Sequence, residues 1–195
     1  MVPYAPLFSA SRDWPERLTV TPLHPDLLQS LSGIVGPDRV LLDEDSLTQY
    51  GRDWTRFHQP RPGAVVLPGS IEEVQALVRL AALEKLAIVP SGGRTGLSAG
   101  AVALHGEIVL ALDRLNQIVE FNPVDRTVRC GAGVVTEQLQ QFAEAQGLFY
   151  PVDFASSGSS QIGGNISTNA GGIKVIRHGM TRDWVAGLKL VTGTG

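Results

Sequence analysis

Residues 90–100 read Pro90-Ser91-Gly92-Gly93-Arg94-Thr95-Gly96-Leu97-Ser98-Ala99-Gly100, directly after an apolar run at 86–90 that has the length and composition of a buried strand. Successive glycines let several backbone N–H groups turn toward one point, an arrangement that binds anions. Thr95 and Ser98 add hydroxyl donors. A pyrophosphate is the natural occupant. Each charge-assisted hydrogen bond contributes about 1.5–3 kcal/mol, so a handful would supply much of the ~8–12 kcal/mol that holds a micromolar-to-nanomolar cofactor.

Two familiar phosphate loops do not fit this stretch. A Rossmann loop opens a helix whose N-terminus holds the phosphate. Here SAGAVALHGE at 98–107 runs through small residues and His105-Gly106 straight into another strand candidate at 107–113, leaving no room for a crossover helix. Asp113 stands about 20 residues beyond the glycines, as the ribose-binding acid of such a fold would, but without the helix that spacing carries little. The Lys-Ser/Thr pair of a P-loop is absent.

Outward from this loop the pattern is regular. Ala64 to Leu67 is an apolar run closed by Pro68-Gly69. Ser70 and Glu73 form a capping box, and Val74, Leu77, Val78 and Ala81 fall on one helical face. Residues 64–90 thus read as strand, crossover helix, strand: a right-handed βαβ unit. Upstream, Leu27, Leu28, Leu31 and Ile34 predict a short helix closed by Gly36-Pro37, and a second covers 43–50. Residues 1–21 read as a Pro-rich arm. Downstream, 118–121 and 127–130 flank the turn Asn122-Pro123-Val124-Asp125 and predict a hairpin. A helix follows with Thr136 as N-cap and Gly147 as its C′ residue, and VAGLKLV at 185–191 reads as a final strand.

Five of the 22 glycines lie in 92–106 and five more in 158–172, about three times an even spread. The second window belongs to a segment, 151–173, of small residues, hydroxyls and side-chain amides, the composition wanted where a large planar ligand lies against backbone. Gly163 and Gly164 allow close approach, and Thr168 and Asn169 offer groups for polar edges. The bland alternative is a long surface loop. Long loops in compact domains are usually functional or disordered, and Ile162, Ile166 and Ile173 anchor this one.

The composition sets the outer limits. The chain has 195 residues, 43% of them hydrophobic and 18% charged, with a formal net charge of −3, which is globular and offers no basic excess for nucleic acid. One cysteine, Cys130, excludes an internal disulfide framework and fits a reducing compartment. The first residues carry no signal-peptide pattern, and no apolar run is long enough to span a membrane.

The motifs Pro-Ser-Gly-Gly-Arg-Thr-Gly-Leu-Ser at 90–98 and Ile-Gly-Gly-Asn-Ile-Ser-Thr-Asn-Ala-Gly-Gly at 162–172 resemble the FAD-binding (PCMH-type) domain of the vanillyl-alcohol oxidase / p-cresol methylhydroxylase superfamily. Within it the likeness is to FAD-linked oxidases of the glycolate oxidase D-subunit, D-lactate dehydrogenase and D-2-hydroxyglutarate dehydrogenase group. It runs from about Asp38 to Gly195, in register with Leu112-Asp113-Arg114-Leu115-Asn116 and Gly131-Ala132-Gly133-Val134. The resemblance implies an α+β domain of two lobes over 38–195, preceded by an extension, 1–37, with a short helix. A small parallel α/β lobe, 38–115, packs on a more antiparallel one, with FAD between them. It further implies that Pro90, Ser91, Gly92, Gly93, Arg94, Thr95, Gly96, Leu97 and Ser98 cradle the pyrophosphate. Pro151, Asp153, Ser156, Gly158, Ser159, Ile162, Gly163, Gly164, Asn165, Thr168, Asn169, Gly172 and Ile173 would contact the flavin and the rest of the dinucleotide.

The implied activity is oxidation of a 2-hydroxy acid of the D-lactate, glycolate or D-2-hydroxyglutarate type to the 2-oxo acid, by a cytoplasmic protein or one peripheral to a membrane. Members that attach flavin covalently carry a His in the glycine loop; 91–98 has none, so FAD is expected to be non-covalent. The family chain continues through a substrate-binding domain, so this sequence reads as an incomplete N-terminal portion with no catalytic residue of its own to name. The electron acceptor stays unassigned. Two other readings remain at this stage: a non-catalytic nucleotide-binding or interaction module, and a relative of UDP-N-acetylenolpyruvoylglucosamine reductase.

Single residues sort as follows. Arg94 offers a cation to an anion, and Asp153 either accepts from a ribose hydroxyl or caps a turn. His178 reads as packing, and Cys130 as a small buried hydrophobe. Asp53 and His58 lack a third partner, so no metal is expected. The strand at 185–191 would form an apolar sheet edge and invite a homodimer.

Overall fold

The computed structural model describes residues 23–55 and 57–195, so the arm expected over 1–21 lies outside the described residues. Helix α1 (Pro25–Val35) opens with Pro at its first position and closes at Gly36, whose φ is +90°. It packs Leu31 and Val35, each 2% exposed, into one core with Ala64, Val66, Leu77, Ile108 and Leu110. A 3-10 turn (Pro37–Arg39) leads to the two-residue strand β1 (Val40–Leu41). Helix α2 (Glu44–Tyr50) follows, capped by the Asp43 side chain, which accepts from the Ser46 N–H.

Strand β2 (Ala64–Val66) is wholly buried, and Ser70 caps α3 (Ile71–Glu84) by accepting from the Glu73 N–H at 3.1 Å. The Glu73 carboxylate reaches one residue further back than a capping box requires, to the Gly69 N–H at 2.6 Å. Strands β3 (Ile88–Ser91) and β4 (Ile108–Ala111) complete a sheet of order β1-β2-β4-β3, in which β2, β4 and β3 run parallel and β1 antiparallel. The expected strand, crossover helix, strand unit is present, with β2 and β3 parallel in one sheet and joined by α3, and β4 slots between the two strands. The burial pattern gives the reason. All of β4 is buried, which suits the centre, whereas β3 exposes Pro90, a residue with no N–H to give a second ladder.

The second lobe begins with the hairpin β5 (Ile118–Asn122) and β6 (Thr127–Cys130), turned by Asn122, whose Oδ1 accepts from the Val124 and Asp125 N–H groups. Helix α4 (Thr136–Ala145) packs Leu139 with Val134 and Ile162, and Ile118, Val128, Cys130, Tyr150 and Ile166 pack around them. Val135, not Thr136, is its N-cap residue. Thr136 is fully buried and spends its hydroxyl on Ser160 instead. Residues 151–173 are not a plain loop, for they contain helix α5 (Ile162–Thr168); the short α6 (Val175–His178) and a 3-10 turn (Thr181–Trp184) follow. The strand expected over 185–191 is absent. That segment joins neither sheet, and Leu188 and Leu190 stay exposed. Residues 185–191 therefore present no sheet edge on which a homodimer could form. Among the described residues no helix is long and apolar enough to cross a membrane.

The chain is therefore an α+β fold of two lobes, one with a mainly parallel sheet and one built on an antiparallel hairpin. They are sewn together at 112–117 and 131–133. The Gly131 N–H donates to the Gln117 carbonyl and the Gly133 N–H to the Leu115 carbonyl, both at 2.9 Å.

Candidate functional site

Because β2, β4 and β3 are parallel, their carboxyl ends share one edge of the sheet, and the crevice beyond such ends is where open α/β sheets take ligands. Pro90 and Ser91 end β3 at this edge. The buried Ser91 hydroxyl donates to the Tyr50 carbonyl at 3.2 Å. The loop that follows is tied down at three points. The Trp54 N–H donates to the Gly96 carbonyl at 3.1 Å, and the Ala99 N–H to Oδ2 of buried Asp53 at 2.8 Å. The Arg94 guanidinium forks onto both Asp113 oxygens at 3.0 and 3.2 Å and lies over the Tyr50 ring, 4.6 Å from its centroid. Burial, and then the Asp113 charge, push the Tyr50 hydroxyl above its usual pKa against the opposing pull of Arg94, so it stays a neutral phenol.

Between these ties the backbone is unpaired. No acceptor among the described residues takes the amide N–H groups of residues 92–98, and the Thr95 and Ser98 hydroxyls likewise have no partner there. A Cβ at Gly96 would meet nothing within 4 Å, so the loop faces open space on that side.

The second glycine window forms the facing wall. The Ser156 carbonyl accepts from the Ser159 and Ser160 N–H groups in a tight turn. That turn pushes the Ser159 carbonyl against Gly93, where any Cβ would overlap it. Gln161 sits beside Gly92, with its Oε1 at 3.3 Å from where a Cβ would stand. The two glycine-rich stretches, distant in the chain, are in contact.

Behind this wall is a buried network. Asn165 donates to the Thr136 hydroxyl at 2.6 Å, which pairs with the Ser160 hydroxyl at 2.7 Å. Gly163 packs on Ala132 and donates to its carbonyl at 2.8 Å, and the N–H of Ile162 donates to the Val134 carbonyl at 2.9 Å. Pro151 is buried, Gly158 faces the Glu137 carboxylate, and Gly172 packs on the Asp153 carbonyl. The Asp153 carboxylate pairs with the Lys174 ammonium at 3.0 Å, a different partner from the ribose or turn expected of it.

Arg94 does not present a free cation, since Asp113 neutralises it. The Thr168 hydroxyl donates back to the Gly164 carbonyl at 2.9 Å, as Thr commonly does within a helix. Asn169, left-handed at φ +50°, ends α5 and accepts from the Arg182 N–H at 3.0 Å, so each of these side chains already has a partner in the protein. Ile173 is 82% exposed and anchors nothing. His178 packs edge-on against Phe149, and Cys130 is half-buried in the second core, where burial raises its thiol pKa.

Gln161, Tyr50 and Asp113 belong to the site without having been expected there. Asp113 had two signals, its distance from the glycines and its place in the motif at 112–116; Gln161 lay within the segment 151–173 without being singled out, and Tyr50 had no signal. A separate concavity of about 510 Å³, lined by Asn116, Gln117, Gln138, Gln141 and Phe142 among others, lies on the hairpin side and holds no titratable group.

A two-lobed α+β domain whose glycine loops meet at the carboxyl edge of a parallel sheet is a dinucleotide holder of a definite kind. Residues 62–195 match the family described as FAD binding domain, and the chain belongs to that family. Over 171 residues it is 66% identical to a D-2-hydroxyglutarate dehydrogenase of Stutzerimonas stutzeri (strain A1501), covering 88% of this chain and 37% of the relative, so the chain spans little more than a third of that protein. Among solved structures it resembles an alkyldihydroxyacetonephosphate synthase, with a TM-score of 0.81 at 23% identity over 92% of this chain and 35% of the other. It also resembles p-cresol methylhydroxylase, with a TM-score of 0.63 at 24% identity over 75% of this chain and 29% of the other. These last two establish the fold.

The residues present fit FAD. A pyrophosphate needs donors, and the loop holds a run of unpaired N–H groups. Gln161 is 6% exposed and its Oε1 is buried without a partner, an acceptor that suits a ligand carrying hydroxyl and imide N–H donors.

Proposed function

We propose that this chain is the FAD-holding part of a flavin-dependent oxidoreductase that converts a 2-hydroxy acid of the D-2-hydroxyglutarate class to its 2-oxo acid. When bound, FAD supplies the hydride acceptor. This chain's own residues bind and orient it. The N–H groups and hydroxyls of residues 92–98 would receive the pyrophosphate, and the wall at 156–165 would line the dinucleotide. The lobe contact at Gly93 and Ser159 keeps the two stretches at a fixed spacing. The 66% identical relative supports the substrate class; the unpaired amides of 92–98 are the observation that carries the cofactor reading. The resemblance implies non-covalent FAD, since 91–98 lacks the His that covalent members carry in this loop. A reducing compartment, the cytoplasm, suits the free Cys130 thiol.

Ligand-dependent unfolding tests the cofactor. A ligand at 100 times its Kd stabilises by about 2.7 kcal/mol, so FAD raises the melting temperature while ADP and a UDP-sugar raise it less. Acid precipitation then leaves the yellow colour in the supernatant. A protein whose melting ignores FAD sinks the proposal, and colour retained in the pellet sinks its non-covalent part. For the substrate class, this chain is joined to the remaining part of the 66% identical relative, loaded with FAD and titrated anaerobically with D-2-hydroxyglutarate, D-lactate and glycolate. Flavin bleaching by none of them removes that assignment, whereas this chain alone is expected to be inactive.

A further inference from the structure

We infer that Arg94 is a positioning residue: an internal strut that holds the glycine loop in its ligand-ready shape, with Asp113 and Tyr50 as its seat. The inference rests on the FAD reading and deepens it. Arg94 is one of few non-glycine residues at positive φ, +58°, a conformation that disfavours any side chain. A strained residue persists where its surroundings over-determine it, and here three contacts do so. Two guanidinium N–H groups meet the two Asp113 oxygens, and the guanidinium plane rests on Tyr50. Only 19% of the Arg94 side chain and 27% of the Asp113 side chain are exposed, so water competes weakly for the pair.

The geometry separates this role from the obvious one. A phosphate-binding arginine presents its fork to the ligand; this fork is occupied on both prongs by a carboxylate. What the pair does is mechanical. Asp113 follows β4, an inner strand buried along its whole length, so the ion pair ties the middle of the loop to the core of the sheet. Tyr50 ends α2, and its carbonyl holds Ser91 at the loop's start. The amides of 92–98 are left unpaired and yet fixed in direction. That is preorganisation, in which the ordering is done before the ligand arrives.

The test is a double-mutant cycle on FAD binding, read as separate association and dissociation rates. If only a fraction of molecules hold the loop ready, the apparent Kd rises by the inverse of that fraction, and the change falls on the association rate. The strut predicts that R94A and D113N each weaken FAD by about tenfold, roughly one charge-assisted hydrogen bond. Association slows, dissociation is nearly unchanged, and the double variant is no worse than either single. R94K fails to rescue, because an ammonium cannot fork. Y50L shifts the association rate in the same direction with no change of charge, a second reading should a charge variant fold poorly. The inference is overturned if D113N leaves FAD binding unchanged or tighter while R94A speeds dissociation, which is the mark of a direct anion ligand. It is also overturned if R94K matches the unaltered protein. Failure of the unaltered chain to bind FAD sinks the FAD reading itself and is seen before any variant is made.

Discussion

Gly93 and Gly96 are three positions apart and glycine for opposite reasons. At Gly93 a Cβ would overlap the Ser159 carbonyl, so G93A strains the contact between the lobes. It is expected to destabilise by about 1–3 kcal/mol, the usual penalty for overpacking, seen as a lower urea midpoint. At Gly96 nothing lies within 4 Å and φ is not positive, so G96A leaves stability within about 0.5 kcal/mol yet weakens FAD, because the methyl group takes ligand space. Equal effects of the two on unfolding would refute the distinction. Gln161 gives a third contrast. Replacing an orphaned buried amide by a similar apolar shape removes an unmet polar group, so Q161L raises the melting temperature without FAD and lowers FAD affinity; a variant that moves both the same way contradicts its role. The crowding of glycine was legible from spacing alone. Which glycine serves packing and which serves ligand was not, because that depends on what stands opposite in space.

At the scale of elements, strand and helix bounds followed hydrophobic period and capping residues, since α3, β2 and the β5–β6 hairpin are local decisions. Sheet order is not local. Pro90 carried the missing signal, for a residue without an N–H belongs on an edge, and β3 is the edge. Thr136 misled for a related reason: its type favours an N-cap, but burial against Ser160 and Asn165 outweighed that preference. T136V should leave those two groups without their partner and cost about 1–3 kcal/mol, read as a lower denaturation midpoint with an unchanged m-value. The same lobe predicts an alkaline limit. Burial and then the neighbouring Cys130 push the Tyr150 hydroxyl up to about 12 from a normal 10.0. The folded chain therefore keeps a proton that the unfolded chain releases. Stability from this group is complete below pH 10 and declines as pH rises toward 12, and Y150F flattens that decline. Cys130, also raised by burial, adds in the same direction, so the comparison is made in a C130A background.

For the molecule as a whole, the two lobes share backbone contacts at Gly131, Gly133 and Gly93, and a ligand lying between them touches both. FAD is therefore expected to move the unfolding of both lobes together, as one sharper calorimetric transition; two transitions, of which only one shifts with FAD, would refute this. The lobes and their cofactor were legible because two motifs occur in order. The failed strand at 185–191 was not, since an apolar run states a wish for burial and not the partner that grants it. The insertion of β4 between β2 and β3 reaches further. During synthesis β2 and β3 emerge first and have no ladder to share, and the gap between them stays open until residue 111 clears the ribosome. Until then each presents a bare edge to any neighbouring nascent chain, so early stalling or slow elongation through 92–107 should favour aggregation.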